Sequence, residues 1–246
     1  MEFELWQLFL LAGVGVLSGF LNVMAGGGSL LALPVLIFLG LPGNVANGTN
    51  RVAIVAQNAS AVTSFFKQGY SELRTMLTLA LCAVPGAAIG AYLGTQVSGE
   101  LFNRILAGLM ILLLILMSRK QPDAEITEKP KRLVLGHILM VAVGFYGGFI
   151  QAGVGFFLMA VLYRVVGLDL VRVNAFKVFI VGIYTLVALA IFADKGQVLW
   201  LLGAALALGT TAGGWIGAHY TVKRGEGLIR VILNVVLVVM AIRLLL

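Results

Sequence analysis

The stretch Asn22-Val-Met-Ala-Gly-Gly-Gly-Ser29 interrupts an apolar run that starts at Leu5, and Gln151-Ala-Gly-Val-Gly155 interrupts a second run that starts at Leu133. Clusters of small residues at such points predict that one helix ends and another begins. Inside a membrane, non-helical backbone is tolerated only where it is buried in protein or lines a water-filled cavity. Two breaks at corresponding places therefore predict a cavity near the bilayer midplane, between two halves of the chain.

Composition places the chain among membrane proteins. Hydrophobic residues make up 61% of its 246 residues and charged residues 11%, and apolar segments continue to the last residue. These values predict an all-α polytopic membrane protein without a separate soluble domain. The acidic start lacks the basic region of a cleaved signal peptide, so the first apolar segment is predicted to be retained. The net charge of +7 does not indicate nucleic-acid binding, because most basic residues lie in short connections beside helices.

The apolar runs divide into two repeats, residues 1–118 and 133–246, which are joined by a polar linker at residues 119–132. Each repeat contains about five helical segments, of which the first two are short or broken. The repeats share Gly-Phe pairs at 19–20 and 148–149, and a Gly-X-X-Ile-Gly-Ala motif at 86–91 and 213–218. The predicted segments are roughly 5–22, 29–40, 47–66, 73–97, 101–117, 133–151, 156–166, 173–193, 198–221 and 227–246.

Basic residues predict the orientation in the membrane. If each repeat crosses an odd number of times, most Lys and Arg residues gather on the side of the linker, and the other side receives only Arg104, Lys195 and Arg243. The positive-inside rule then predicts a cytoplasmic linker, both termini outside, and two repeats of inverted topology. The second segment of each repeat, about 18 Å long, is too short for a core of about 30 Å. Whether these segments are re-entrant or spanning stays open.

The predicted substrate site rests on two basic residues at matching places in the repeats, Arg51 and Lys177. A charge at the bilayer centre costs about 2.5–3.5 kcal/mol, and the embedded sequence offers no carboxylate to neutralise it, so a bound anion is expected. Polar side chains and helix-starting amides around both breaks complete the site. Its predicted members are Arg51, Lys177, Asn22, Gln151, Thr49, Asn50, Asn174, Ser29, Gly26, Gly27, Gly28, Gly153 and Gly155.

The two cations also have a structural interpretation. Arg51 and Lys177 would instead snorkel to an interface or bond to helix carbonyl ends. The two His residues lie far apart in sequence and have no acidic neighbours in the membrane, so neither a metal nor a cofactor is expected. The sequence also lacks a pair of residues at the spacing that catalysis needs, so an enzyme is not expected. Glycines at four-residue spacing predict close helix packing, within one chain or between chains. They are Gly86, Gly90, Gly94, Gly209, Gly213 and Gly217.

The chain resembles the TauE/SafE sulfite exporter family, also called the toluene sulfonate uptake permease family. The resemblance rests on residues 19–29, the Gly40-Leu-Pro turn, Gly48-Thr-Asn-Arg51, Gly69 and the mirrored Gly144-Phe-Tyr-Gly-Gly-Phe149. It covers nearly the whole chain. Two departures are Arg51, where many members have Lys, and a second break without a triple glycine.

This resemblance implies an inner-membrane transporter of sulfite, sulfonates or other small organic anions. We expect the anion to enter from the cytoplasm, bind between Arg51 and Lys177, and leave outside as the repeats rock about the site. A passive anion channel and a carrier of carboxylates are the alternatives. The expected partners are the small anion and the lipid bilayer, and a homodimer is an open alternative.

Overall fold

The computed structural model describes residues 4–118 and 132–221. Within these residues the chain is helical and contains no strand. The helices are α1 (Leu5–Ala25), α2 (Ser29–Phe38), α3 (Gly43–Lys67), α4 (Leu73–Gln96), α5 (Gly99–Ser118), α6 (Leu133–Phe149), α7 (Val154–Val161), α8 (Leu170–Asp194) and α9 (Trp200–Thr221). A π-helical turn, Leu162–Val166, continues α7. The predicted segment at 227–246 and most of the linker lie outside the described residues.

Four of the described helices are long and apolar enough to cross a membrane, which confirms the all-α polytopic prediction: Leu5–Met24, Leu73–Gln96, Leu170–Asp194 and Trp200–Tyr220. α3 is equally long, but its asparagines and Arg51 lower its mean hydropathy below that of a typical span. α2, with ten residues, and α7 with its π turn are as short as the sequence predicted. Large apolar side chains are exposed on the outside of the bundle, as in Phe9, Val134 and Leu208, which fits a lipid-facing surface.

Several helix boundaries differ from the prediction. α3 begins at Gly43 rather than near residue 47, directly after Pro42, whose fixed φ favours a helix start. α8 begins at Leu170 rather than near 173, because the Asp169 carboxylate accepts hydrogen bonds from the amides of Val171 and Arg172 at 3.1 and 3.0 Å. Arg51 and Lys177 consequently lie about two turns inside their helices, deeper than the predicted one turn.

The two halves of the chain are interleaved. α1 packs along α9 of the other half, and α6 packs along α4. Glycines bring each pair into backbone contact: a Cβ built on Gly213 would lie 2.0 Å from the Val16 carbonyl oxygen, and one on Gly90 would lie 2.0 Å from that of Phe145. The four-residue glycine series thus serves packing within one chain.

α3 and α8, which are counterparts in the proposed repeats, run in opposite directions. Gly48, near the start of α3, packs against Phe192, near the end of α8. At the other end of the pair, Phe66 stacks on Phe179 with ring centroids 6.2 Å apart. An inverted repeat requires this relation between counterpart helices. The full repeat relation, including the last segment of the second half, stays a prediction.

Candidate functional site

The two glycine-rich breaks meet at the centre of the bundle. α1 ends at Ala25, one turn later than predicted, and Gly26 follows in the left-handed conformation with φ of 78°. In the second break Gln151 and Gly153 have φ values of 62° and 70°. A Cβ on Gly155 would lie 2.2 Å from the Gly26 Cα, so the backbones of the two breaks touch and only glycine fits there. The breaks leave no space between them at this contact.

The Arg51 guanidinium donates hydrogen bonds to the last turn of α6. Its side chain is fully buried, at 0% exposure. Nη1 donates to the Gly147 carbonyl oxygen at 3.3 Å, Nη2 donates to that of Gly148, and the guanidinium lies 4.6 Å from the centroid of the Phe192 ring. The carbonyls belong to the last turn of α6, where the helix dipole places partial negative charge. Nε has no hydrogen-bond partner among the described residues.

Lys177 donates hydrogen bonds to the last turn of α1, as Arg51 does to the last turn of α6. It is 2% exposed, and its Nζ donates to the Val23 carbonyl oxygen at 2.7 Å and to Asn174 Oδ1 at 2.6 Å. Val23 lies in the last turn of α1. Each cation therefore bonds to the carbonyl end of a helix from the other half of the chain. This is one of the alternatives that the sequence left open, and neither side chain reaches the protein surface.

The two cations lie apart along the α3–α8 pair. Arg51 contacts Phe192, which lies fifteen residues beyond Lys177 on α8, a distance of about 22 Å along the helix axis. The structure therefore places Arg51 and Lys177 at separate points, near the two ends of the pair, rather than side by side.

Polar residues of α3 tie the Arg51 region to the first break. Asn50 Nδ2 donates to Ser29 Oγ at 3.1 Å, at the start of α2. Thr49 Oγ1 accepts the amide of Leu199 at 3.0 Å, so this predicted site residue positions the segment before α9. Asn47, which the predicted site did not include, donates to the Phe149 carbonyl at 2.8 Å, and its Oδ1 has no partner among the described residues.

The start of α2 presents buried amides. The N–H groups of Gly27, Gly28 and Ser29 lie at or just before the first turn of α2, and all three residues are buried. A Cβ on Gly28 would lie 2.1 Å from the Ser18 carbonyl oxygen, so glycine is required where the chain re-enters a helix. Free amides at a helix start are suited to an anion.

Asn22 and Gln151 match in sequence but occupy different settings. Asn22 lies inside α1 and is half-buried, because α1 continues to Ala25. Gln151 lies in the break itself, is 2% exposed, and its Oε1 accepts a hydrogen bond from the Tyr184 hydroxyl at 3.1 Å. Tyr184 is fully buried on α8. The predicted equivalence of the two amides therefore does not extend to their surroundings.

Acidic residues in the described part of the chain stand away from both cations. They lie at helix ends and are exposed, and they are Glu4, Glu72, Glu100, Asp169 and Asp194. No group of three His, Cys, Asp or Glu side chains within the described residues is close enough to hold a metal ion. Arg51 thus bonds to carbonyl groups and to no carboxylate among the described residues.

Sequence reasoning overlooked three buried polar side chains near the middle of α3 and α8. Gln57, Asn58 and Thr185 are at most 1% exposed. Gln57 Nε2, Asn58 Nδ2 and Thr185 Oγ1 have no hydrogen-bond partner among the described residues. The adjacent amides of Gln57 and Asn58 in an otherwise apolar stretch were visible in the sequence as a signal.

Comparisons with known proteins agree with this architecture. The family model for the sulfite exporter TauE/SafE matches residues 11–244. A probable membrane transporter protein of Sinorhizobium is 29% identical over 231 residues, covering 93% of this chain and 88% of the relative. Those of Haemophilus influenzae and Escherichia coli K12 are 27% and 28% identical, each covering 94% of this chain and 91% and 87% of the relative. No solved structure matches the chain. With its helical bundle and membrane-spanning segments, the chain belongs to the sulfite exporter TauE/SafE family of membrane transporters.

Proposed function

We propose that this protein exports a small anion, sulfite or an organosulfur anion such as a sulfonate, across the cell inner membrane by alternating access between its two halves. The linker faces the cytoplasm and both termini face outward in this proposal. The observation that carries it is the Arg51 guanidinium, which is fully buried, has a donor without a partner, and faces no carboxylate among the described residues.

The charge balance of the described bundle supports an anionic substrate. A helix C-terminus carries about half a negative charge, so the end of α6 offsets only part of the charge on Arg51. The residual positive charge is buried and lies far from the exposed carboxylates. An oxyanion that enters this field gains more favourable interactions than a neutral or cationic solute does.

The first anion contact in this proposal is Arg51 with the start of α2. Arg51 offers its Nε, and Asn50 beside it bonds to Ser29, so the same turn of α3 lies against the backbone amides at the start of α2. An oxyanion accepts hydrogen bonds from both kinds of donor. Because Arg51 also binds the end of α6, an anion that competes for the guanidinium loosens a contact between the halves.

Membrane potential supplies a driving force for export. A negative interior favours outward movement of each negative charge by about 2.3 kcal/mol per 100 mV. Export in this proposal requires no catalytic residue and no cofactor. The alternatives are a carrier of carboxylates and a passive anion channel. The experiment described next distinguishes these from the proposed carrier.

The test is anion flux into liposomes that contain the purified protein. Sulfite, thiosulfate, sulfate, a sulfonate and a carboxylate are compared, with and without a counter-gradient of the same anion. Saturable, counter-flow-stimulated flux of a sulfur oxyanion supports the proposal, and flux that rises without saturation supports a channel. A preference for carboxylates contradicts the substrate class.

Arg51 variants test the site. Arg51→Gln is expected to lose flux, whereas Arg51→Lys, which keeps the charge, retains part of it. The matched control is Arg104→Gln, which removes an exposed arginine paired with Glu100 at 2.6 Å, and is expected to transport normally. Size-exclusion profiles confirm that each variant is folded. Normal flux in folded Arg51→Gln excludes Arg51 from the site.

A further inference from the structure

Two polar side chains face the interface of α3 and α8 without a partner in the described chain. Asn58 on α3 is 1% exposed and Thr185 on α8 is 0% exposed. Asn58 Nδ2 makes no hydrogen bond within the described residues, and Thr185 Oγ1 lies beside the Tyr184 hydroxyl without a hydrogen bond of ordinary length. Buried polar side-chain atoms are nearly always hydrogen-bonded. The unpaired Asn58 amide, with the Thr185 hydroxyl on the neighbouring helix, therefore indicates a partner that comes from outside the chain.

Gly182 brings these two side chains to the same place. A Cβ on Gly182 would lie 3.4 Å from the Asn58 Cβ, so Asn58 packs over that glycine of α8. Thr185 lies three residues after Gly182, on the same face of the helix. Thr185 also lies seven residues before Phe192, on the face of α8 that contacts Arg51 of α3.

Arg51 and Lys177 lie on opposite sides of the point where Asn58 packs over Gly182. Asn58 lies seven residues beyond Arg51, two turns along α3 on the same face and about 10 Å away. Thr185 lies eight residues beyond Lys177 on α8, a separation of about 12 Å along the axis. Because α3 and α8 are antiparallel, an anion that passes from one cation to the other along this pair meets Asn58 and Thr185 midway.

We propose that Asn58 and Thr185 form a central station for a small oxyanion, midway between Arg51 and Lys177. The station binds with neutral donors, the Asn58 amide and the Thr185 hydroxyl, and takes its preference for anions from the flanking cations. Neutral donors hold an oxyanion less tightly than a salt bridge does, so the ion moves on to the next cation. This inference rests on the proposed anion transport, and it assigns a second site that Arg51 does not form.

The experiment compares Thr185→Val and Asn58→Leu with wild type, using purified full-length protein and sulfite or thiosulfate as the probe. Affinity is measured by calorimetry, and the melting temperature Tm is measured with and without the anion. Thr210→Val is the matched control, because Thr210 is equally buried but its Oγ1 already donates to the Ala53 carbonyl at 3.1 Å.

Thr185→Val and Asn58→Leu are expected to weaken anion affinity about tenfold or more while the Tm of the anion-free protein stays unchanged or rises. Thr210→Val is expected to do the reverse, lowering the Tm without changing affinity. If wild type binds and transports the anion and both station variants bind equally well, the station is refuted and anion transport stands. A lowered anion-free Tm with normal affinity in Thr185→Val also refutes the station, since it indicates a structural role. If wild type neither binds nor transports any anion of the panel, the proposed function falls, and the station with it.

Discussion

Replacing Gly19 with Ala tests the backbone contact between α1 and α9. The new Cβ would lie 2.3 Å from the Thr210 carbonyl oxygen, whereas carbon–oxygen contacts ordinarily begin near about 3.3 Å. The two helices must separate by about 1 Å, and overpacking of this kind costs about 1–3 kcal/mol. Gly13→Ala in the same helix is the matched control, because nothing lies within 4 Å of its Cβ. That substitution is expected to stabilise α1 by about 0.5–1 kcal/mol.

The two variants should therefore differ by about 1.5–4 kcal/mol in stability, with Gly19→Ala the less stable. For a chain of this size 1 kcal/mol corresponds to about 2–4 °C, so their Tm values are expected to differ by at least about 3 °C. The assay is thermal unfolding in detergent, followed by intrinsic fluorescence and by loss of the monodisperse size-exclusion peak. Equal Tm values for Gly13→Ala and Gly19→Ala would show that α1 and α9 are not in backbone contact in the folded protein.

Two further predictions concern Tyr184 and the orientation. Tyr184→Phe leaves Gln151 Oε1 without its donor, which is expected to lower stability by about 1–3 kcal/mol; an unchanged unfolding transition would exclude this hydrogen bond as a support of the second break. In cells whose Cys82 is replaced by Ala, a single cysteine at Lys195 should react with an impermeant maleimide from outside, and one at Ser71 should react only after permeabilisation. Reaction of Ser71→Cys in intact cells would reverse the proposed orientation.

Sequence alone predicted the segments whose signals are local. Glycine clusters at 26–28 and 152–155 marked the breaks, and the apolar runs gave the helices to within a few residues. The predicted starts of α3 and α8 were too late. α3 begins directly after Pro42, and the Asp169 carboxylate caps α8, so both helices extend into sequence that hydropathy excludes.

The candidate site was predicted less completely. The matching positions of Arg51 and Lys177 were visible, but their carbonyl partners on α6 and α1 were not, since a backbone acceptor leaves no mark on the sequence. The separation of the two cations depends on the antiparallel course of α3 and α8, which requires knowing which helices pack together. Asn58 and Thr185 were overlooked for a similar reason, because their burial depends on helix packing rather than on spacing along the chain.

The interleaving of α1 with α9 has a consequence for biosynthesis. α9 begins roughly 175 residues after α1 ends, so a ribosome working at about 5–20 residues per second leaves α1 in the membrane for about 10–35 s before its main partner exists. During that interval the glycine face of α1 is open to lipids and to other nascent helices. The insertion machinery must therefore keep the first helix from pairing wrongly until the second half has been made.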